Sequence, residues 1–129
     1  MFTFSKSDRL LVKGEFKRTL DHGTKVLCQE LVVFGYCGSE TEKKETRARL
    51  GLIVSGKVGN AVARNRIKRI LRETFRHIRP KLKVVLCSEL DIVVIARQKA
   101  AEVSGKVLSL AFESCLARLF KKFGLLIPA

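Results

Sequence analysis

Residues 64–72 contain the densest group of side chains in this sequence that could bind a ligand or take part in chemistry. Five cations and one asparagine fall within nine residues, and apolar residues separate them: Arg64, Asn65, Arg66, Lys68, Arg69 and Arg72. A helix turns about 100° per residue, so this spacing separates the segment into two faces. Asn65, Lys68, Arg69, Arg72 and Arg76 fall on one face. Ala63, Ile67, Ile70, Leu71, Thr74 and Ile78 form the opposite stripe, with Phe75 at its margin. The pattern predicts a helix with one buried face and one cationic face.

The cationic face favours contact with a polyanion. Arg69, Arg72 and Arg76 are like-charge neighbours at i+3 or i+4 spacing, which costs roughly 0.2–0.5 kcal/mol per pair in an isolated helix. Arginine also suits bidentate contacts with phosphate. Asn65 adds a donor and an acceptor that could bind a base edge, a ribose hydroxyl or a metal-bound water. A solvated surface helix is the alternative, and we favour contact with RNA or DNA.

Composition supports this interpretation. The chain has 129 residues, 47% of them hydrophobic, and a formal net charge of +14, so we expect one folded domain spanning residues 1–129. Between Lys57 and Lys83 there are ten Lys and Arg residues and one acid, Glu73. Such concentration favours a nucleic acid partner. A membrane surface is disfavoured because the basic helix lacks a Trp- and Phe-rich insertion face.

The cysteines and the N-terminus predict a cytoplasmic protein. Cys28, Cys37, Cys87 and Cys115 form no C-x-x-C pair and lie among apolar neighbours, which favours buried free thiols over disulfides or a zinc site. Residues 1–14 contain cations but no apolar signal-peptide core. No apolar run approaches about 18 residues, so a membrane span is not expected.

No catalytic set is predicted in the chain itself. Residues 51–57 spell G-x-x-x-x-G-K, but Val58 follows where a phosphate-binding loop needs a hydroxyl, and the spacer residues are typical of a strand. The only histidines are His22 and His77. The chain offers neither clustered carboxylates for metal ions nor a histidine pair for acid–base chemistry. We therefore predict no catalytic residue, no protein-held metal and no small-molecule substrate.

The rest of the sequence predicts the elements that position the basic helix. A helix over 15–21 stops at His22-Gly23. The strand region over 25–36 forms one strand or, if it breaks near Gln29, two, and a polar loop over 38–46 forms a hairpin connection. A strand over 49–54, a turn over 55–59 and the basic helix follow, and Pro80 closes that helix. A short apolar run over 84–87, a strand over 91–96 buried on both faces and a helix over 103–123 complete an α/β sandwich. The expected apolar side of the last helix is Val107, Leu110, Ala111, Ser114, Leu116, Ala117 and Phe120.

Phe16, Leu20 and Phe34 leave two interpretations open. Apolar residues at such spacing are typical of a helix packed on a sheet. Alternatively, the aromatic rings form an exposed floor on which unpaired bases stack.

The sequence resembles the protein subunit of bacterial ribonuclease P. The resemblance covers nearly the whole chain. Its most specific block is Ser55-x-Lys57-Val58-Gly59-Asn60-Ala61-Val62-x-Arg64-Asn65-Arg66-x-Lys68-Arg69, and softer matches are Arg9-Leu10, Phe16, His22-Gly23 and Ile95-Ala96-Arg97. The resemblance implies an αβββαβα fold similar to the second domain of ribosomal protein S5. It also implies a left-handed crossover, against the general rule for such connections.

The resemblance further implies a function. The RNA subunit would carry out Mg²⁺-dependent phosphodiester hydrolysis, while the protein binds that RNA and the 5′ leader of precursor tRNA. The implied RNA-contacting residues are Lys57, Arg64, Asn65, Arg66, Lys68, Arg69, Arg72 and Arg76. The implied leader cleft contains Arg9, Phe16, Leu20 and Phe34.

Several positions depart from the family pattern. Gly56 stands where a second cation is usual, Leu20 and Phe34 stand where Phe and Tyr are common, and Gln98-Lys99-Ala100 replaces the usual residues after Arg97. Two alternatives stay open beside the ribonucleoprotein subunit. They are an RNA-binding protein of ribosomal type, which fits the basic helix, and a protein-only nuclease, which the missing catalytic set disfavours.

Overall fold

A computed structural model describes residues 13–37, 47–78 and 89–123. Its helices are α1 (Lys13–His22), α2 (Ala61–Ile78) and α3 (Gly105–Lys122), and a short 3₁₀ helix spans Gln98–Ala101. Its strands are β1 (Thr24–Leu27), β2 (Leu31–Cys37), β3 (Arg47–Ile53) and β4 (Glu89–Ala96). The expected order αβββαβα is confirmed for the described residues, and the stretch around Gln29 breaks into two strands, which the sequence left open. Arg9, the 38–46 loop, Pro80 and the 84–87 run lie outside the described residues.

The sheet order is β1-β2-β4-β3, so the expected hairpin between the second and third strands is wrong. β4 pairs antiparallel with β2 and parallel with β3, and it therefore separates them. The sequence order of β2 and β3 suggested a hairpin, but β4 carries the longest apolar run and takes the central position. Its burial on both faces was predicted and is confirmed from Asp91 to Val94. The left-handed path through α2 stays a prediction.

One face of the sheet packs against α2 and α3. Ile67, Leu71, Thr74 and Ile78 of the predicted apolar stripe of α2 are buried, whereas Ala63 and Ile70 are half-buried. Phe75 lies fully inside the core instead of at the margin. The predicted apolar side of α3 is right for Leu116 and Phe120, which are buried, but wrong for Val107 and Leu110, which are about half exposed. The buried residues recur at three- and four-residue spacing and form the stripe that packs on the sheet: Leu108, Phe112, Cys115, Leu116, Leu119 and Phe120.

The other face of the sheet is covered only in part. Strand side chains alternate between faces, so Tyr36 and Asp91 point away from the Gly35 side, where α3 packs. Arg18 of α1 contacts both Tyr36 and Asp91, so α1 lies on this second face. We call it the open face. The part of the open face that α1 does not cover includes Leu27, whose side chain is 50% exposed.

Gly35→Ala is predicted to destabilise the fold by about 1–3 kcal/mol, the range for overpacking a filled core. An added Cβ would lie 2.6 Å from Leu119 Cδ2 and 2.9 Å from Phe123 Cε2. Gly56→Ala is the matched control, because a Cβ there has nothing within 4 Å. Urea denaturation of both variants measures the effect. Equal unfolding midpoints for the two would contradict this account of how α3 packs on the sheet.

Candidate nucleic-acid interface

The start of α2 is fixed by a tight turn and a side-chain cap. The Val58 amide donates to the Ser55 carbonyl oxygen at 3.1 Å, which closes the turn after β3. Asn60 Oδ1 then accepts from the Ala63 amide at 2.9 Å, as an N-cap residue does. Lys57 is exposed within this turn. The turn over residues 55–59 and the Asn60 cap therefore set where the cationic face of α2 begins.

The structure brings the predicted cations of α2 into three groups. Asn65, Arg69 and Arg72 are exposed along the solvent side, and Arg76 is half-buried there. Arg64 and Lys68 are half-buried on one flank. Arg66 lies on the other flank, where its Nη2 donates to the Val103 carbonyl oxygen at 3.3 Å. Arg66 thus links α2 to the segment before α3, a structural contact that the sequence pattern does not predict.

The charges of Arg64, Lys68, Arg69 and Arg72 are not cancelled within the described part of the chain. Arg64, Lys68, Arg69 and Arg72 form no ion pair with another described residue; the ion pairs shown there join Arg18 and Arg49 to Asp91. The Nε atom of Arg64 is buried and has no hydrogen-bond partner among the described residues. These four side chains thus form a row of unmatched cations, that is, cations without an ion-pair partner among the described residues. Such a row suits an anionic partner.

The open face and the helix α1 that lies on it contain three of the four predicted cleft residues, and Arg9 lies outside the described residues. Phe16 and Leu20 of α1 are half-buried, as is Phe34 of β2, which shares its face of the sheet with Tyr36. The Nζ atom of Lys25, opposite Phe34 on β1, lies 5.9 Å from the Phe34 ring centroid. An apolar floor with a cation beside an aromatic ring can accept a nucleotide base and its phosphate.

Asp91 holds α1 against this face, and the sequence analysis did not single it out. Its carboxylate is 1% exposed; it accepts from Arg18 Nη2 at 2.8 Å, and from Arg49 Nε at 2.8 Å and Nη2 at 3.1 Å. The Arg18 guanidinium also stacks 4.8 Å from the Tyr36 ring centroid. The available signal was an acid directly before the apolar run 92–96 in a strand expected to be buried on both faces, since a buried carboxylate requires cationic partners.

The described ranges contain two free thiols and no candidate metal centre. Cys115 is buried, Cys28 is half-buried, and both are free thiols, as predicted for these two; Cys87 lies outside the described residues. Among residues 13–37, 47–78 and 89–123, no three His, Cys, Asp or Glu side chains are placed to hold a metal ion. His22 and His77 are exposed on different helices. No helix in these ranges is long and apolar enough to cross a membrane.

Comparisons with known proteins agree with this architecture. A family model for ribonuclease P matches residues 4–120. The chain is 42% identical over 121 residues to the ribonuclease P protein component of Desulfosudis oleivorans, covering 94% of this chain and 89% of the relative. It is 37% identical over 99 residues to that of Bacillus pumilus, covering 77% and 76%.

Solved structures show the same fold. The ribonuclease P protein of Staphylococcus aureus matches with a TM-score of 0.72 at 33% identity, covering 89% of this chain and 96% of that one. The protein from Thermotoga maritima matches with a TM-score of 0.65 at 28% identity, with the same coverage.

The fold and the surface of α2 define a small basic α/β protein with the features of a polyanion binder. More particularly, the chain belongs to the ribonuclease P protein family. It is therefore a protein of tRNA processing, and the resemblance seen in its sequence is confirmed.

Asp91→Asn is predicted to lower the free energy of unfolding by about 3 kcal/mol. This is the low end for breaking a buried ion pair, because Arg18 and Arg49 keep some contact with water. Glu113→Gln, an exposed acid on α3, is the control and should change stability by less than about 0.5 kcal/mol. Urea denaturation compares the two. An Asp91→Asn variant as stable as the control would show that this carboxylate does not hold α1.

Proposed function

We propose that this chain is the protein subunit of a ribonuclease P ribonucleoprotein, in which it binds the catalytic RNA subunit and the 5′ leader of precursor tRNA. The holoenzyme removes the leader endonucleolytically to give the mature 5′ end. The observation that carries the proposal is the row of unmatched cations on α2, in a chain whose family is that of ribonuclease P proteins. The family match also favours this function over a ribosomal-type protein or a protein-only nuclease.

The α2 surface is proposed to contact the RNA subunit. Asn65, Arg69 and Arg72 are exposed on one side of an 18-residue helix, so they can follow a phosphate backbone over several nucleotides. Lys57 and Arg64 extend the same surface toward the helix start, with Lys68 and Arg76 beside it. Arg66 contributes less in this proposal, because part of its guanidinium group already binds Val103.

The open face is proposed to bind the leader. Phe16 and Phe34 offer aromatic surface for unpaired bases, while Leu20 offers apolar contact without an aromatic ring. Phe34 also lacks the hydroxyl common at its position in the family. Lys25, beside Phe34, is placed to meet a phosphate of the same strand. Arg9 belongs to this proposed site by resemblance alone, because it lies outside the described residues.

Catalysis is assigned to the RNA subunit, together with Mg²⁺ that the RNA holds. The donor chemistry of the described residues supports this assignment. Asp91, the one buried carboxylate among them, accepts hydrogen bonds from two arginines through both oxygens, which leaves it poorly suited to bind a metal ion. Bound Mg²⁺ would activate the attacking water and stabilise the leaving oxygen. The protein would position substrate and screen phosphate repulsion. We expect it to act in the cytoplasm, where tRNA is processed.

The protein alone is predicted to cleave no precursor tRNA, whereas adding it to its RNA subunit restores cleavage at limiting Mg²⁺. A gel assay of leader release measures this. The double variant Arg69→Gln/Arg72→Gln should restore less cleavage, because two phosphate contacts are lost. Lys106→Gln/Lys122→Gln removes the same charge from exposed sites on α3 and serves as control. Equal cleavage with and without the protein at limiting Mg²⁺ would refute the proposed function.

Phe16→Leu is predicted to weaken holoenzyme binding of leader-bearing precursor tRNA by about 5- to 140-fold, since one stacked base is worth about 1–3 kcal/mol. Binding of leaderless tRNA should not change. Leucine keeps an apolar side chain at this half-buried position and removes the aromatic stacking surface. Titrations with both substrates provide the measurement. The same loss for both substrates would indicate that Phe16 has a purely structural role.

A further inference from the structure

Two arginines from different elements converge on the turn between β1 and β2. Arg118 of α3 reaches around the edge strand, and its Nη2 donates to the Leu27 carbonyl oxygen at 2.7 Å. Arg97 follows β4, and its Nη1 donates to the Cys28 carbonyl oxygen at 3.1 Å. Both side chains are exposed. Two guanidinium groups are thus fixed on consecutive carbonyls at one corner of the sheet.

These arginines are held in place without losing their charge. Arg18 and Arg49 are anchored by a carboxylate, which cancels part of their charge. Arg97 and Arg118 are anchored by neutral carbonyls, and neither forms an ion pair with another described residue. A guanidinium group has several N–H donors, and these contacts use only one or two of them. The remaining donors are available to an anion.

The sulfur beside Arg118 does not neutralise it either. Arg118 Nη2 also donates to Cys115 Sγ at 3.5 Å. Burial, together with the neighbouring Cys28 thiol, raises the pKa of Cys115 to about 11, against the lowering effect of Arg118. Cys115 is therefore an uncharged thiol at neutral pH, and Arg118 keeps its full positive charge.

The two charges also lie close together. Consecutive Cα atoms are about 3.8 Å apart, so the two hydrogen bonds hold the guanidinium groups within roughly 11 Å. That distance is comparable with the Debye length of about 10 Å at 0.1 M salt, so their mutual repulsion is weak but not fully screened. An anion bound at this corner would relieve that repulsion.

The corner adjoins the open face. The half-exposed Leu27 side chain lies on that face, in register with Val32 of β2, which in turn pairs with Ile95 of β4. Beyond Arg97, Gln98 Nε2 donates to the Lys57 carbonyl oxygen at 3.4 Å, next to the start of α2. Arg118, Arg97 and Lys57 therefore form a basic rim along one end of the sheet. A strand lying on the open face meets this rim where it passes Leu27.

We propose that Arg97 and Arg118 form a phosphate-binding site for single-stranded RNA at the Leu27 end of the open face. The site contacts the backbone of the leader and does not read its bases. The inference rests on the proposed function, because it takes the leader as the strand on the open face. The proposed site adds Arg118 to the RNA-binding surface, although α3 otherwise packs against the core of the protein.

The test compares Arg118→Gln and Arg97→Gln holoenzymes with Lys106→Gln, which removes an exposed charge at the far end of α3. Each arginine variant should bind precursor tRNA with a long leader about 2- to 5-fold more weakly, the range for an exposed charge pair. The plot of log affinity against log salt should become shallower by about 0.7 for each arginine removed. Leaderless tRNA and the RNA subunit should bind as before.

Modified leaders separate phosphate contact from other roles. With an abasic leader, the loss in the arginine variants should persist while the loss in Phe16→Leu disappears. With a methylphosphonate leader, which has no backbone charge, the loss in the arginine variants should disappear.

An arginine effect that vanishes with the abasic leader would overturn the inference, because Arg97 and Arg118 would then only shape the turn. Weaker binding of the RNA subunit alone would overturn the leader as the source of the phosphate. If the Phe16→Leu variant binds every substrate as tightly as the unchanged protein does, the proposal that bases stack on the open face is refuted. The salt-dependence and methylphosphonate experiments would still test whether Arg97 and Arg118 bind phosphate.

Discussion

One buried carboxylate connects the parts of this molecule that its proposed function requires. Asp91 lies in the central strand β4, and its two oxygens bind Arg18 of α1 and Arg49 of β3. An isolated charge at that depth would be costly, so the arginines and the carboxylate must stay together. The result is that α1 is held on the second face of the sheet, where it covers one end and leaves the rest open. That contact therefore helps to fix Phe16 and Leu20 of α1 relative to Phe34.

The manner in which each arginine is held distinguishes structure from binding. Arg18 and Arg49 are paired with a carboxylate and stabilise the fold. Arg66 is held by a backbone carbonyl and joins α2 to the start of α3. Arg69 and Arg72 are exposed and unpaired within the described residues. Arg97 and Arg118 combine fixed position with uncancelled charge. The residues that give the net charge of +14 therefore belong to several surfaces and have different roles.

Much of the fold follows from local pattern. The order of elements, most of the apolar stripe of α2 and the burial of β4 on both faces were predicted correctly, because each depends on spacing within one segment. The hairpin between β2 and β3 was wrong, since strand pairing depends on which strand fills the centre of the sheet. The side of α3 that packs was also wrong in part. Val107 and Leu110 compete with Leu108 and Phe112 for the core, and only the shape of the sheet surface decides between them.

The candidate site divides in the same way. The sequence by itself determined that residues 64–72 form a helix with a cationic face and that the chain belongs to the ribonuclease P protein family. It also contains no recognisable pattern of catalytic residues. These properties depend on residue types at short spacing. The tertiary structure alone decided that Asp91 clamps α1, that Arg66 faces Val103, and that Arg97 and Arg118 meet at Leu27 and Cys28. Those contacts join residues up to 91 positions apart, where spacing along the chain carries no information about distance in space.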